Sequence, residues 1–368
     1  MTDEHLEVLL RLVEQQESLG DRFSKIHRLA AAGGDGNFSL MFTALDSTSG
    51  ERVAIKVFHP EVRDPYRKLA FYREEALLRQ FQGQTSVVQL VAPLGAFTQR
   101  LRTDVGLPYE ITFEYFALQL ASGDAHSLLY SGGMSAIDRL ETFHAMCRGT
   151  QRLHLGSVVH RDLKLRNFLI RQKAPVVSDL GTARNLSDPT QAIMVGYTAP
   201  PGDRRYTGPE MLAGLHAVDS SIAVAGDFYS LGAILFELFA GTPLFAVIYD
   251  VGAIQALSAI GVVDHADRLR VYHEVVPDLA QRRLPSVAEF SWPVPGSVLE
   301  HVDGLYRSLA SLDYRHRNVS FERVFRQLAI CLKILRNERA YQTWLAEKRR
   351  RRLARETRSD PARARVMT

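Results

Sequence analysis

Hydrophobic and polar residues follow different rhythms in different parts of this chain. Over residues 4–18, Leu6, Leu9, Leu10 and Val13 recur at helical spacing among acidic and amide residues, which predicts an amphipathic helix packed on the body of the protein. From Phe23 the rhythm shortens to alternating runs broken by glycine. Gly33-Gly34-Asp35-Gly36-Asn37-Phe38-Ser39-Leu40-Met41 reads as a glycine-rich turn between two strands, and residues 46–50 as the next turn, before Arg52-Val53-Ala54-Ile55-Lys56-Val57-Phe58. Residues 65–82 return to helical spacing through Leu69, Phe71, Tyr72, Ala76, Leu77 and Phe81. Two more strands are predicted over 87–94 and 109–120, joined by a polar stretch holding Arg100, Arg102 and Asp104. Beyond these, helices dominate: 137–155, a buried helix and turn within 231–249, helical and proline-rich pieces over 245–302, and a last amphipathic helix over 319–337.

Composition adds bounds. A chain of 368 residues with 46% hydrophobic content can bury a full core. The net charge of +4 is uneven: residues 336–365 hold eleven Arg or Lys against four Asp or Glu, so the basic excess belongs to the tail, which includes Lys348-Arg349-Arg350-Arg351-Arg352. Such a run reads as solvated disorder or a helix extension, with contact to nucleic acid or an anionic membrane as its functional alternative. Cys147 and Cys331 lie far apart without metal-ligand spacing, so neither a disulfide framework nor a zinc site is implied, and a cytoplasmic setting is expected. Asp3, Glu4 and Glu7 stand where a secretory leader would be basic. Glu237 and the Gly241-Thr242-Pro243 break make the most apolar stretch a core helix rather than a membrane span.

The chemistry concentrates in Val158-Val159-His160-Arg161-Asp162-Leu163-Lys164-Leu165-Arg166-Asn167-Phe168-Leu169-Ile170. Two apolar runs flank a loop with a carboxylate, an ammonium and a carboxamide at offsets 0, +2 and +5. One turn can aim all three at a phosphate: Asp162 to accept a hydroxyl proton, Lys164 to attend the moving phosphoryl group, Asn167 to bind a hard metal. The five fixed residues of His-Arg-Asp-x-Lys-x-x-Asn match by chance with a probability of roughly one in ten thousand in a chain of this length.

This stretch resembles the catalytic loop of the eukaryotic-type (Hanks-type) protein kinases, including their bacterial Ser/Thr members, and the rest of the chain carries the resemblance from about residue 23 to 335. It implies an α+β, two-lobed fold: a mainly β N-lobe over about 23–116 and a mainly α C-lobe over about 117–337. An N-terminal helix (1–22) and a basic tail (338–368) flank it. The resemblance implies ATP and Mg²⁺ as cofactors, with Mn²⁺ as a substitute, and a protein as phosphate acceptor. It makes Gly34, Gly36, Ser39 and Met41 the phosphate-covering loop and its strand, although serine and methionine stand where the family's third glycine and its valine are usual. Ala54 and Leu169 would line the adenine pocket, Leu118 would be its gatekeeper, and Gln119, Leu120 and Ala121 its backbone hinge. Lys56 would hold the α- and β-phosphates and pair with Glu74, with Glu75 as competitor. Asp179, seventeen residues past Asp162 in Val176-Val177-Ser178-Asp179-Leu180-Gly181, would share the metal with Asn167.

Three later motifs resemble those that separate protein kinases from small-molecule kinases: Tyr206-Thr207-Gly208-Pro209-Glu210, Asp227-Phe228-Tyr229-Ser230-Leu231-Gly232 and Asp313-Tyr314-Arg315-His316-Arg317. By resemblance Glu210 pairs with Arg317, and Asp227 bonds backbone near the catalytic loop. The activation segment departs most. Asp203 replaces the usual threonine, and is expected either to salt-bridge Lys164 or to repel Asp162. Ser187, Thr190, Thr198 and Thr207 are candidate phosphorylation sites, with Arg161 as the receiving cation. Lys164, two residues past Asp162, favours serine and threonine over tyrosine as acceptors. The expected function is therefore a Ser/Thr protein kinase, autophosphorylation included. The alternatives are a nucleotide-binding pseudokinase scaffold and a small-molecule kinase of the aminoglycoside or choline type.

Overall fold

The structure, a computed structural model, describes residues 3–29, 39–102, 106–188, 202–215, 220–290, 292 and 294–359. Helix α1 (Asp3–Glu14) leads into strands β1 (Ser18–Leu19), β2 (Phe23–Arg28), β3 (Ser39–Asp46) and β4 (Arg52–Phe58), then helix α2 (Pro65–Gln80). Strands β5 (Leu90–Arg102) and β6 (Pro108–Gln119) complete a six-stranded antiparallel sheet in the order β1-β2-β3-β4-β6-β5.

Strand alternation gives this sheet two apolar faces. Leu40, Phe42, Ala44, Val53, Ile55, Val57, Phe113, Tyr115 and Ala117 share the outer face. Leu9, Leu10 and Val13 of α1 close over it, so the helical spacing seen near the N-terminus is the imprint of that packing. Glu7 pairs with Arg28 at 2.8 Å and Glu14 accepts the Arg28 N–H at 2.7 Å, fixing the helix to β2. The inner face carries Ala54, Phe58, Phe116 and Leu118 and faces α2 and the remainder of the chain. Helix α2 starts where it does because Asp64 caps it, accepting the Tyr66 N–H, and Pro65 fits the first turn.

The β5–β6 hairpin is longer than the alternation predicted. The stretch holding Arg100 and Arg102 is strand, not connection, and only Asp104 of that trio lies outside the described residues. Cross-strand pairs explain the extension: Phe97 stacks on Phe113 at 4.9 Å, Thr98 meets Thr112 at 3.1 Å, and Arg100 pairs with Glu110 at 2.8 Å. The expected lobe boundary at 116/117 also falls inside β6, which runs on to Gln119.

After the sheet come β7 (Gly123–Asp124), α3 (Ala125–Tyr130), α4 (Ala136–Leu155), β8 (Val158–Val159), β9 (Phe168–Arg171), β10 (Ala174–Val177) and β11 (Arg184–Asn185). A reciprocal Ser135–Asp138 capping box begins α4. Short ribbons β7-β9-β10 and β8-β11 frame the catalytic loop. Helices α5 (Pro209–Leu212), α6 (Ser220–Ala240), α7 (Leu244–Ile248), α8 (Val251–Gly261), α9 (His265–Ala280), α10 (Gly296–Leu309) and α11 (Phe321–Arg336) build the second lobe. The tail is helical too, as α12 (Glu338–Ser359), and Lys348 to Arg351 on it are exposed.

Helix α6 is long and apolar enough to cross a membrane, yet 94% of its apolar window is buried against its neighbours. Its fit is close: a Cβ on Gly232 would lie 2.7 Å from the Ala310 N. Gly232→Ala is therefore expected to destabilise the fold by about 1–3 kcal/mol through overpacking, read as a lower midpoint in denaturant unfolding.

Candidate active site

Asp162 lies in the loop between β8 and a 3₁₀ turn at Leu165–Asn167. Three groups, through four bonds, fix its carboxylate and backbone. The Lys164 ammonium donates to Oδ2 at 2.9 Å, and the Asn167 carboxamide donates to Oδ2 at 3.1 Å and to the Asp162 carbonyl at 2.8 Å. From the far side the Asp203 N–H donates to Oδ1 at 2.8 Å. Burial pushes the Asp162 carboxyl above its ordinary range, against the pull of Lys164. That combination suits a group that must take up a proton.

The loop is anchored from below by Asp227 of α6. Its two oxygens accept the N–H groups of His160 and Arg161, each at 2.8 Å, and the His154 ring bonds to it at 2.8 Å. Burial alone would raise the Asp227 carboxyl; the His154 and backbone hydrogen bonds outweigh it and hold the group below its ordinary range. Arg161 has φ of 64°, a left-handed conformation unusual for a side-chain-bearing residue. Its guanidinium donates to the Thr182 carbonyl at 2.5 and 2.8 Å, and burial pulls its pKa down to about 10.

Lys56 on β4 reaches across the inner face of the sheet. Its ammonium sits 2.6 Å from Glu74 Oε2 of α2 and 3.2 Å from Asp179 Oδ1. Glu75, the competing candidate, pairs instead with Arg79. Helical rotation decides between the two glutamates, because only Glu74 points at the sheet. Burial drives the Glu74 carboxyl upward, with Lys56 opposing; Asp179 is held below its ordinary range chiefly by Lys56. The amide in Glu74→Gln keeps the shape but loses the charge. It is expected to lower kcat/KM for phosphoryl transfer by about 10- to 100-fold, the range for one charge-assisted hydrogen bond, in a steady-state assay.

Asp179 follows β10, has φ of 58°, and stands beside Asn167 because β9 and β10 pair Phe168 with Val177. Its side chain is 47% exposed. Asp179 Oδ1 takes the Lys56 bond, while Oδ2 accepts no hydrogen bond from the described residues; nor does the Asn167 Oδ1. Among the described residues no three His, Cys, Asp or Glu side chains form a ready metal cage. Two open oxygens fit a hard cation that arrives with phosphates and keeps part of its water, as Mg²⁺ does.

The cleft above these groups is lined from the inner face. Strand register sets Met41 beside Lys56, and Ala54 beside Leu118, while Leu120 and Leu169 pack against the same core; Ser39 opens β3. Of the expected hinge groups the Gln119 N–H is already engaged, donating to the Gln89 carbonyl at 3.0 Å. Leu120 and Ala121 follow the end of β6. Gly34 and Gly36 lie outside the described residues.

The activation segment brings further corrections. Asp203 forms no salt bridge with Lys164, although it lies within electrostatic reach of that ammonium. Its carboxylate binds Arg205 at 2.6 Å, and it is its backbone N–H that meets Asp162. Gly202 makes this approach possible, with φ of +94° and a Cβ position occupied by the Arg161 carbonyl oxygen. Thr207 is unsuited to phosphorylation, being 6% exposed with its hydroxyl donating to the Asp203 carbonyl at 2.8 Å. Ser187 is exposed; Thr190 and Thr198 lie outside the described residues. Further on, Glu210 and Arg317 form a buried pair through bonds of 2.6 and 3.0 Å. Arg317 also donates to the Ala225 and Ser311 carbonyls at 2.8 Å each.

Reasoning from sequence missed His154, Gly202 and Arg73, which donates to the Gly181 carbonyl at 2.9 Å. Only His154 left a trace, as a histidine between Leu153 and Leu155 six positions before His160 on a helix.

Residues 29–319 match the family described as the protein kinase domain. Among curated proteins the chain is similar to "Mitogen-activated protein kinase 15" of Rattus norvegicus, 30% identical over 218 residues, which is 58% of this chain and 36% of the rat protein. It is similar to "Mitogen-activated protein kinase HOG1" of Candida albicans, 29% identical over 216 residues, 58% of this chain and 50% of that one. "Extracellular signal-regulated kinase 1" of Dictyostelium discoideum is 30% identical over 217 residues, covering 58% and 37%. The chain thus spans about a third to a half of the length of these relatives. A family match across most of its length, over a two-lobed fold with the catalytic loop at the junction, means that this chain belongs to the protein kinase domain family.

Proposed function

We propose that the protein transfers the γ-phosphate of ATP to serine or threonine hydroxyls of proteins, its own chain included. The observation that carries this reading is the assembled state of the site: Lys56 bonded to both Glu74 and Asp179 while Asp162 is bonded by Lys164 and Asn167. A scaffold that had given up catalysis would have no need to keep all of these contacts.

In this reading Lys56 binds the α- and β-phosphates, and Ala54, Leu118 and Leu169 enclose the adenine. Asn167 and Asp179 would hold Mg²⁺, or Mn²⁺ in its place, which supplies charge neutralisation on the phosphates. Like charges 4 Å apart repel by about 4 kcal/mol at an effective dielectric of 20, so the acceptor oxygen needs cations in its path. Asp162 orients the acceptor hydroxyl and takes its proton, and Lys164 stabilises the charge on the phosphoryl group in transit. A cytoplasmic setting suits both the demand for ATP and the two buried free thiols, Cys147 and Cys331.

The test is incubation of the purified protein with Mg²⁺ and γ-labelled ATP, with and without a generic protein substrate, followed by mapping of the label by mass spectrometry. Label on serine or threonine is expected. ATP binding without any label would move the assignment to a scaffold, and label on a small metabolite to another kinase class.

A further inference from the structure

The two segments that hold Asp162 in place each carry arginines that the catalytic groups do not use. Arg166 sits in the 3₁₀ turn between buried Leu165 and buried Asn167, and α3 packs on that turn. It is half-buried, and it makes no hydrogen bond or ion pair with any described residue. None of its guanidinium nitrogens is buried, so the charge stays open to a ligand while the rest of the side chain is partly covered. Arg204 and Arg205 lie on the 3₁₀ turn that begins after Asp203, whose N–H bonds Asp162. Arg204 is exposed and likewise without a partner among the described residues.

The acidic groups near this edge of the site are paired or buried. Asp203 is taken by Arg205, Asp124 caps α3 through the Ser127 N–H and hydroxyl, and buried Glu237 accepts from the Tyr130 hydroxyl at 2.9 Å. His126 on α3 lies within electrostatic reach of both Arg166 and Arg205; burial first, then these arginines against the pull of Asp124, hold its pKa below the ordinary value. With Asp124 and Glu237 buried and Asp203 paired, the charges that this edge presents to solvent are those of Arg166 and Arg204.

We propose that Arg166 selects acceptor peptides carrying an anionic side chain, carboxylate or phosphate, within a few residues of the acceptor hydroxyl. The inference rests on the protein kinase reading of the same site. An extended peptide advances about 3.3 Å per residue, so a hydroxyl on Asp162 leaves the neighbouring one to three positions over the turn that holds Arg166. A planar guanidinium matches both carboxylate and phosphate in bidentate fashion, so the chemistry selects the charge and leaves its source to be found.

Binding, measured apart from transfer, tests this. Fluorescence anisotropy of labelled peptides would be followed in the presence of Mg²⁺ and a non-hydrolysable ATP analogue, with alanine at the acceptor position and flanks of glutamate, phosphoserine, alanine or arginine. Glutamate or phosphoserine flanks are expected to bind about tenfold or more tighter than arginine flanks, and the tighter of the two identifies the source of the charge. Arg166→Gln should erase the preference and Arg166→Glu reverse it. Equal binding of all four peptides, or a preference for arginine in the unaltered protein, overturns the proposal. Acidic preference without phosphate transfer would leave the proposal standing and remove the kinase reading; transfer without the preference would do the opposite.

Discussion

Asp162→Asn is expected to lower phosphoryl transfer by about 10²- to 10⁴-fold, the contribution of a positioned general base, while nucleotide binding stays close to that of the unaltered protein. The amide is nearly the same shape as the carboxylate, and its oxygen can still accept from Lys164, Asn167 or the Asp203 N–H, so the loop should keep its course. What it cannot do is take the proton. Lys56 on β4 and Asp179 just past β10, proposed for the phosphates and the metal, lie outside this loop and are untouched. Single-turnover transfer beside a nucleotide titration separates the two effects. Full transfer in the variant would remove Asp162 from its assigned role; loss of nucleotide binding would mean that the loop had collapsed.

Arg317→Leu is expected to be the most destabilising single change, at about 3–5 kcal/mol, because it strands a buried carboxylate. Both side chains of the Arg317–Glu210 pair are 0% exposed, and the arginine also satisfies the Ala225 and Ser311 carbonyls. Thermal unfolding should show the midpoint falling by roughly 10 °C. The double variant Glu210→Leu with Arg317→Leu is the control. Removing both charges should recover part of the loss, since the isolated carboxylate is the costly species. A single variant as stable as the parent would mean that water reaches Glu210.

The groups proposed for catalysis stand out in the sequence because phosphoryl transfer demands particular side chains at short spacings: Asp162, Lys164 and Asn167 share one turn, and Lys56 stands on a well-marked strand. Legibility failed where a neighbour distant in sequence decides the outcome. Glu74 and Glu75 are equivalent until the rotation of α2 is known. Asp203 looked like an electrostatic problem for Asp162, but Arg205, two residues on, takes its charge and frees its backbone to help. Thr207 read as a loop hydroxyl and proves to be buried. The outer half of β5 looked like a connection because its charged residues point to solvent, and only cross-strand pairing reveals it as strand. Gly202 is the extreme case, since its need for glycine comes from a carbonyl forty-one positions earlier in the chain.

The closure of the outer sheet face by α1 bears on how the two lobes can move. Every residue of that outer cluster, from Leu9 to Ala117, belongs to the first lobe, and the sheet itself partitions it from the main core. Rocking of the first lobe over the second therefore carries α1 along as ballast and breaks none of the cluster's contacts. The contacts that opening the cleft would strain lie outside that cluster: the Lys56, Glu74 and Asp179 junction, the Arg73 bond to Gly181, and the backbone bonds that tie Ser86 and Val88 to Val177.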